Sequence, residues 1–138
     1  MSHLKLMALD AEDLQVVSSC CQDAVLKIGE MNYLAGEKRF VLTINRFVWE
    51  KNKEKERRRS VLHFERVNGV KVQGLNRNEP EMVTSLLAVL FEAGEAPGGE
   101  IELVFAGDGA IRLDVECIEA QLADMPAAWE AQSVPKHD

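Results

Sequence analysis

A chain of 138 residues, 46% of them hydrophobic, has the size of one domain and enough apolar residues to bury a sizeable core. No stretch approaches the roughly 18 to 20 apolar residues of a membrane-spanning helix, and Met1-Ser2-His3-Leu4-Lys5 lacks the pattern of a secretory leader, so a cytoplasmic protein without membrane contact is expected. The net charge of −7 counts against a general nucleic-acid binder, but it is unevenly spread: residues 1–69 hold twelve Lys/Arg against ten Asp/Glu, and residues 70–138 hold four against thirteen.

Leu4 to Leu9 reads as a short opening strand. Asp10 then stands where an N-cap belongs, with Glu12 and Asp13 in the first turn of a helix whose apolar face, Leu14, Val17, Cys21, Ala24, Val25 and Ile28, carries it to residue 28. From Gly29 the period changes to two. A Gly36-Glu37 turn pairs Tyr33 with Phe40, Met31 with Leu42 and Gly29 with Ile44 on one face, and Leu34 with Arg39, Asn32 with Val41 and Glu30 with Thr43 on the other. The second strand runs on through Phe47 to Trp49 with apolar residues on both faces, as a central strand would.

Residues 51–59 contain no apolar side chain and read as an exposed loop, with extended strand ends as an alternative for its margins. Ser60 to Val67 and Val70 to Leu75 read as a hairpin around Asn68-Gly69, the dipeptide best suited to a type I′ turn. Residues 76–80 form a polar connector, and Met82 to Glu92, long enough for a helix but also alternating, is read as a strand in preference to a helix before the stop at Gly94, Pro97, Gly98 and Gly99. In the last hairpin a three-residue Gly107-Asp108-Gly109 loop pairs Phe105 with Ile111, Leu103 with Leu113 and Ile101 with Val115, keeping apolar residues on one face. Ile118 to Met125 reads as a short helix stopped by Pro126. The expected product is an α+β domain over residues 1–126, mainly an antiparallel sheet of hairpins packed against one N-terminal helix, with a strongly curved or barrel-like sheet as one form of it. Residues 127–138 are expected to be a poorly ordered tail apart from Trp129.

Few residues point to chemistry. Cys20, Cys21 and Cys117 show neither zinc-ligand spacing nor a disulfide framework and read as reduced, mostly buried thiols, so no metal or cofactor is expected. His63 lies within a strand and reads as structural unless a carboxylate orients it. Arg46 falls by alternation on the same face as Phe40, Leu42, Ile44 and Val48; a guanidinium there calls for an ion pair, a bond to helix C-terminal carbonyls, escape at the strand end, or an anionic ligand. Asn45 and Trp49 lie on the opposite face, where a backbone bond or a small pocket would use them. Lys51, Lys53, Lys55, Arg57, Arg58 and Arg59 form a basic run beside aromatic residues that could meet nucleic acid or the acidic face of another copy. In the last hairpin, Glu102 is expected opposite Asp114 and Glu100 opposite Glu116.

Leu9-Asp10-Ala11-Glu12-Asp13-Leu14, Gln22-Asp23-Ala24 and Asn45-Arg46-Phe47-Val48-Trp49-Glu50 resemble a small bacterial family known only as domain of unknown function 2948. Leu86-Leu87-Ala88, Phe105-Ala106-Gly107, Ile111 to Ile118 and Leu122-Ala123-Asp124 extend the resemblance over nearly the whole chain; where members have Gly-Gly in the last turn, this chain has Gly107-Asp108. The resemblance brings no catalytic or binding residues with it. A non-enzymatic binding or assembly domain, forming a homo-oligomer, is the leading expectation. The alternatives are a nucleic-acid-linked accessory protein using residues 51–59, and a small enzyme or metabolite binder with an anion site at Arg46.

Overall fold

A computed structural model of the chain describes residues 4–48 and 57–126. Trp49, Lys51, Lys53, Lys55 and the tail from residue 127 lie outside them, and so do the expectations attached to those positions.

Strand β1 (Lys5–Ala8) leads to helix α1 (Ala11–Cys21), capped by the Asp10 side chain, which accepts the Asp13 amide at 2.8 Å. Leu14, Val17 and Cys21 are its buried face. The helix stops seven residues before the expected end. Asp23 takes a positive φ of 64° and donates its amide to the Leu86 carbonyl, and Ala24–Lys27 become β2, with Ala24 and Leu26 buried at strand spacing. A 3-10 turn at Ile28–Glu30 replaces the expected Gly29/Ile44 and Glu30/Thr43 pairs.

Strands β3 (Met31–Leu34) and β4 (Arg39–Phe47) pair in the expected register, Tyr33 with Phe40 and Met31 with Leu42. Their loop is longer than a two-residue turn: 35–37 form a 3-10 turn, and Lys38 (φ 53°), not Gly36, takes the left-handed position. Strand β5 (Arg57–Phe64) includes Arg57, Arg58 and Arg59, which are ladder residues opposite Phe47, Arg46 and Asn45: the strand extends three residues into the stretch read as a loop.

The remaining strands are β6 (Val67–Gln73), β7 (Val83–Ala93), β8 (Gly99–Phe105), β9 (Ala110–Val115) and β10 (Ala120–Asp124). The expected hairpin about Asn68-Gly69 does not form. The chain turns earlier, at Glu65-Arg66 with Arg66 at φ 59°, while Asn68 and Gly69 sit inside β6 at a bulge, and β6 pairs with β9 instead of β5. Between β8 and β9 the apolar face is as expected but the register is two residues shorter, Leu103 with Ile111 and Ile101 with Leu113, because residues 105–109 form the connection. Glu102 consequently faces Arg112, leaving Glu100/Asp114 as the like-charged pair there. The segment expected to be a final helix is β10, inserted between β1 and β5.

The ladders run β1-β10-β5-β4-β2-β7-β8-β9-β6, with β3 also on β4. The strongly curved or barrel-like form is corrected: β1 and β6 end the path without pairing to each other, and the antiparallel sheet is neither closed nor strongly curled. Closure requires partners on both edges of every strand, and among the described residues β1, β3 and β6 each use one. Helix α1 packs on β7 and β1, and Ser18 Oγ accepts the Val89 amide at 2.8 Å. One apolar core joins Leu14 and Val17 to Leu42, Leu62, Phe64, Leu86, Leu103, Phe105 and Leu113. Among the described residues, no helix is long and apolar enough to cross a membrane.

Candidate ligand-binding site

Strand β4 buries every second residue, and the alternation that buries Phe40, Leu42 and Ile44 also buries Arg46, which is 2% exposed. Its partner comes from two strands away. Arg46 Nε donates to Asp124 Oδ1 at 2.8 Å and Nη2 to Oδ2 at 2.9 Å, a bidentate fork across β5. The carboxylate also accepts Ser60 Oγ at 2.6 Å and the Leu4 amide at 3.0 Å, and Arg46 Nη1 reaches the Phe47 carbonyl at 3.2 Å. Desolvation alone would raise the Asp124 pKa; the hydrogen bonds from Arg46, Ser60 and Leu4 and the Arg46 charge outweigh it and hold the group below its ordinary value. Nearby Cys21 is pushed up to about 12 by burial, with Cys20 and Asp124 adding and Arg46 opposing, so the thiol is a packing group and not a nucleophile.

Of the other sequence-flagged residues, Asn45, Arg57, Arg59 and His63 face the opposite side of the sheet. Asn45 pairs with Arg59, whose guanidinium meets the Glu30 carboxylate and, at 3.4 Å, Asn45 Oδ1. His63 Nδ1 lies 2.8 Å from Glu65 Oε2, which also accepts Arg39 Nε at 2.8 Å. Arg57 stacks on Phe47, 3.8 Å from the ring centroid, and donates to the Asn45 carbonyl at 3.2 Å. Arg58 is turned inward and is 7% exposed. Arg46 and His63 thus lie on two faces of one sheet, and Arg57, Arg58 and Arg59 do not form a row on one surface. Among the described residues, no three His, Cys, Asp or Glu side chains group so as to hold a metal ion.

A cavity of about 150 Å³ opens elsewhere, lined by Ile28, Met31, Tyr33, Phe40, Val70, Val72, Leu75, Arg77 and Ile111. Its walls are β3 and β6, each with one edge unpaired among the described residues, and β4 and β9. Tyr33 Oη donates across to the Val67 carbonyl at 2.8 Å, and the Val67 amide bonds to the Lys38 carbonyl, so this end of the gap is tied. The remaining wall is the connector after β6. Gly74 turns it at φ 71°, Gly109 leaves room for the Leu75 side chain, and the Gly29 and Ile28 amides bond to the Pro80 and Met82 carbonyls. Asn76 Oδ1 accepts the Asn78 amide at 2.9 Å while its Nδ2 donates to Glu79 Oε1 at 2.8 Å, a side-chain-closed turn centred on Arg77.

Because a Cβ at Gly74 would lie 2.8 Å from the Asp108 carbonyl oxygen at a positive φ, Gly74→Ala is expected to cost about 1–3 kcal/mol in urea unfolding. Gly36→Ala, which meets nothing within 4 Å, should change stability by much less. Sequence reasoning missed this cavity because it paired β6 with β5; the overlooked signal is Gly74 followed by Asn76 and Asn78, a turn pattern flanking one arginine.

A second, open groove of about 510 Å³ is lined by Glu92, Glu95, Glu100, Asp114 and Glu116 beside Gly98 and Gly99. It is a solvated acidic surface at the end of β7 and β8.

Taken together, an open antiparallel sheet, one helix and a pocket whose lining includes a single charged residue, Arg77, define an α+β domain. The chain belongs to the family described as Protein of unknown function (DUF2948), whose model matches residues 4–137. No curated protein and no solved structure matches it.

Proposed function

We propose that this is a non-enzymatic binding domain whose ligand site is the pocket between β3 and β6. One observation carries the reading: eight apolar or aromatic side chains and a single charged one line a cavity of about 150 Å³, and of these Val72 and Arg77 are exposed. A cavity of that size holds one benzene-sized group, and apolar walls with few polar groups are the usual composition of a ligand site. Strands supply most of the wall, so the shape is set before a ligand arrives. The polar groups that might instead have served chemistry have internal partners, Arg46 with Asp124 and His63 with Glu65. The three free cysteines support a reducing, cytoplasmic setting.

The test is methyl-detected NMR with toluene as probe. Shifts are expected at Met31, Val70, Val72, Leu75 and Ile111, and in Val72→Trp, whose indole fills the cavity, they should disappear while the fold is retained by circular dichroism. Shifts scattered over the outer face of β4 and β5, or none at all, would remove the pocket as the site.

A further inference from the structure

We infer that the ligand of this pocket is a small apolar carboxylate, with a hydrocarbon part of about one ring in the cavity and its anionic group on Arg77. The inference rests on the pocket being the binding site and adds the chemical class. Shape limits the apolar part: about 150 Å³ accommodates a ring or a short branched chain, not a long acyl tail. Charge sets the polar part. Arg77 is the only charged residue among those lining the cavity.

The surrounding side chains leave this arginine for an incoming anion. Arg39, Arg46, Arg59, Arg66 and Arg112 each have a carboxylate within ion-pair distance, and Arg77 has none among the described residues. Its nearest acidic neighbour in sequence, Glu79, is drawn back to Asn76 Nδ2, and the Asn76 and Asn78 turn fixes the backbone on either side of Arg77. An Arg guanidinium presents parallel donors that fit a carboxylate in a bidentate fork, as Arg46 already does with Asp124 in this molecule. Of the other lining residues only Val72 is exposed like Arg77, so the side chain beside the guanidinium at the surface is apolar.

Phenylacetate, phenylacetamide and toluene separate the possibilities by the same methyl shifts. Phenylacetate is expected to bind about tenfold more tightly than its amide. That advantage should shrink at high salt, because Arg77 is exposed, and vanish in Arg77→Gln while toluene binding is unchanged. Equal affinity for acid and amide, or a preference that survives in Arg77→Gln, overturns the carboxylate assignment and leaves the pocket reading standing. Failure of all three probes to shift the pocket methyls overturns both.

Discussion

Asp124→Ala is expected to destabilise the protein by about 3–5 kcal/mol, measured by urea unfolding at neutral pH. The magnitude follows from what remains behind. Arg46 is 2% exposed and would keep its charge without the carboxylate that accepts two of its donors, while Ser60 and the Leu4 amide would lose their acceptor as well. Against a typical total of about 5–15 kcal/mol, that loss would populate the unfolded state measurably. Replacing both partners, Arg46→Met with Asp124→Leu, should recover much of it, since a packed apolar pair does not carry the desolvation cost. A single variant within about 1 kcal/mol of the parent would show that the pair contributes little. The same carboxylate sets an acid limb. Because its folded pKa is lowered below the ordinary value of 3.8, its contribution is complete above that pH and is lost as pH falls through the folded pKa. Asp124→Asn should therefore lose less stability than the parent over that acidic range.

Phe64→Ala should cost about 3–5 kcal/mol by the same measurement. Phe64 is fully buried on β5, directly between Phe40 on β4 and Ala120 on β10. The methyl of Ala120 leaves the space the ring occupies and cannot fill it once the ring is gone, and the neighbouring strands are held by ladders on both sides, so little collapse is available. Leu34→Ala, at a 40% exposed position on β3, is the comparison and should change stability by under about 1 kcal/mol. Equal losses at the two positions would contradict this placement of the core.

Local signals were legible where neighbours in sequence are neighbours in the sheet. The Asp10 cap and the β3/β4 register follow from residues within one turn or one hairpin. Where partners are distant, local preference misled. Ala24, Val25 and Ile28 continue a helical face as well as they make a strand, and what settles the matter is a bond from Asp23 to Leu86, far along the chain. Asn68-Gly69 favours a turn in isolation, but pairing with β9 uses those residues as a strand with a bulge. Ala120, Leu122 and Asp124 alternate, yet the run is too short to distinguish from a helix until β1 and β5 are placed on either side. The need of Arg46 for a partner could be read from alternation alone. Asp124 could not, because it lies 78 residues away in that same ambiguous segment.

The position of β10 bears on the order in which the molecule can assemble. A ribosome delivers β1 and β5 early, but in the finished sheet they are held together through a strand that arrives after both. Until residues 120–124 emerge, the facing edges of β1 and β5 have no ladder, Arg46 has no counter-ion from Asp124, and the Leu4 amide has no acceptor there. The ladders from β5 through β4, β2, β7, β8 and β9 to β6 need no residue of β10, so what waits for residues 120–124 is the docking of β1 and the neutralisation of Arg46 by Asp124.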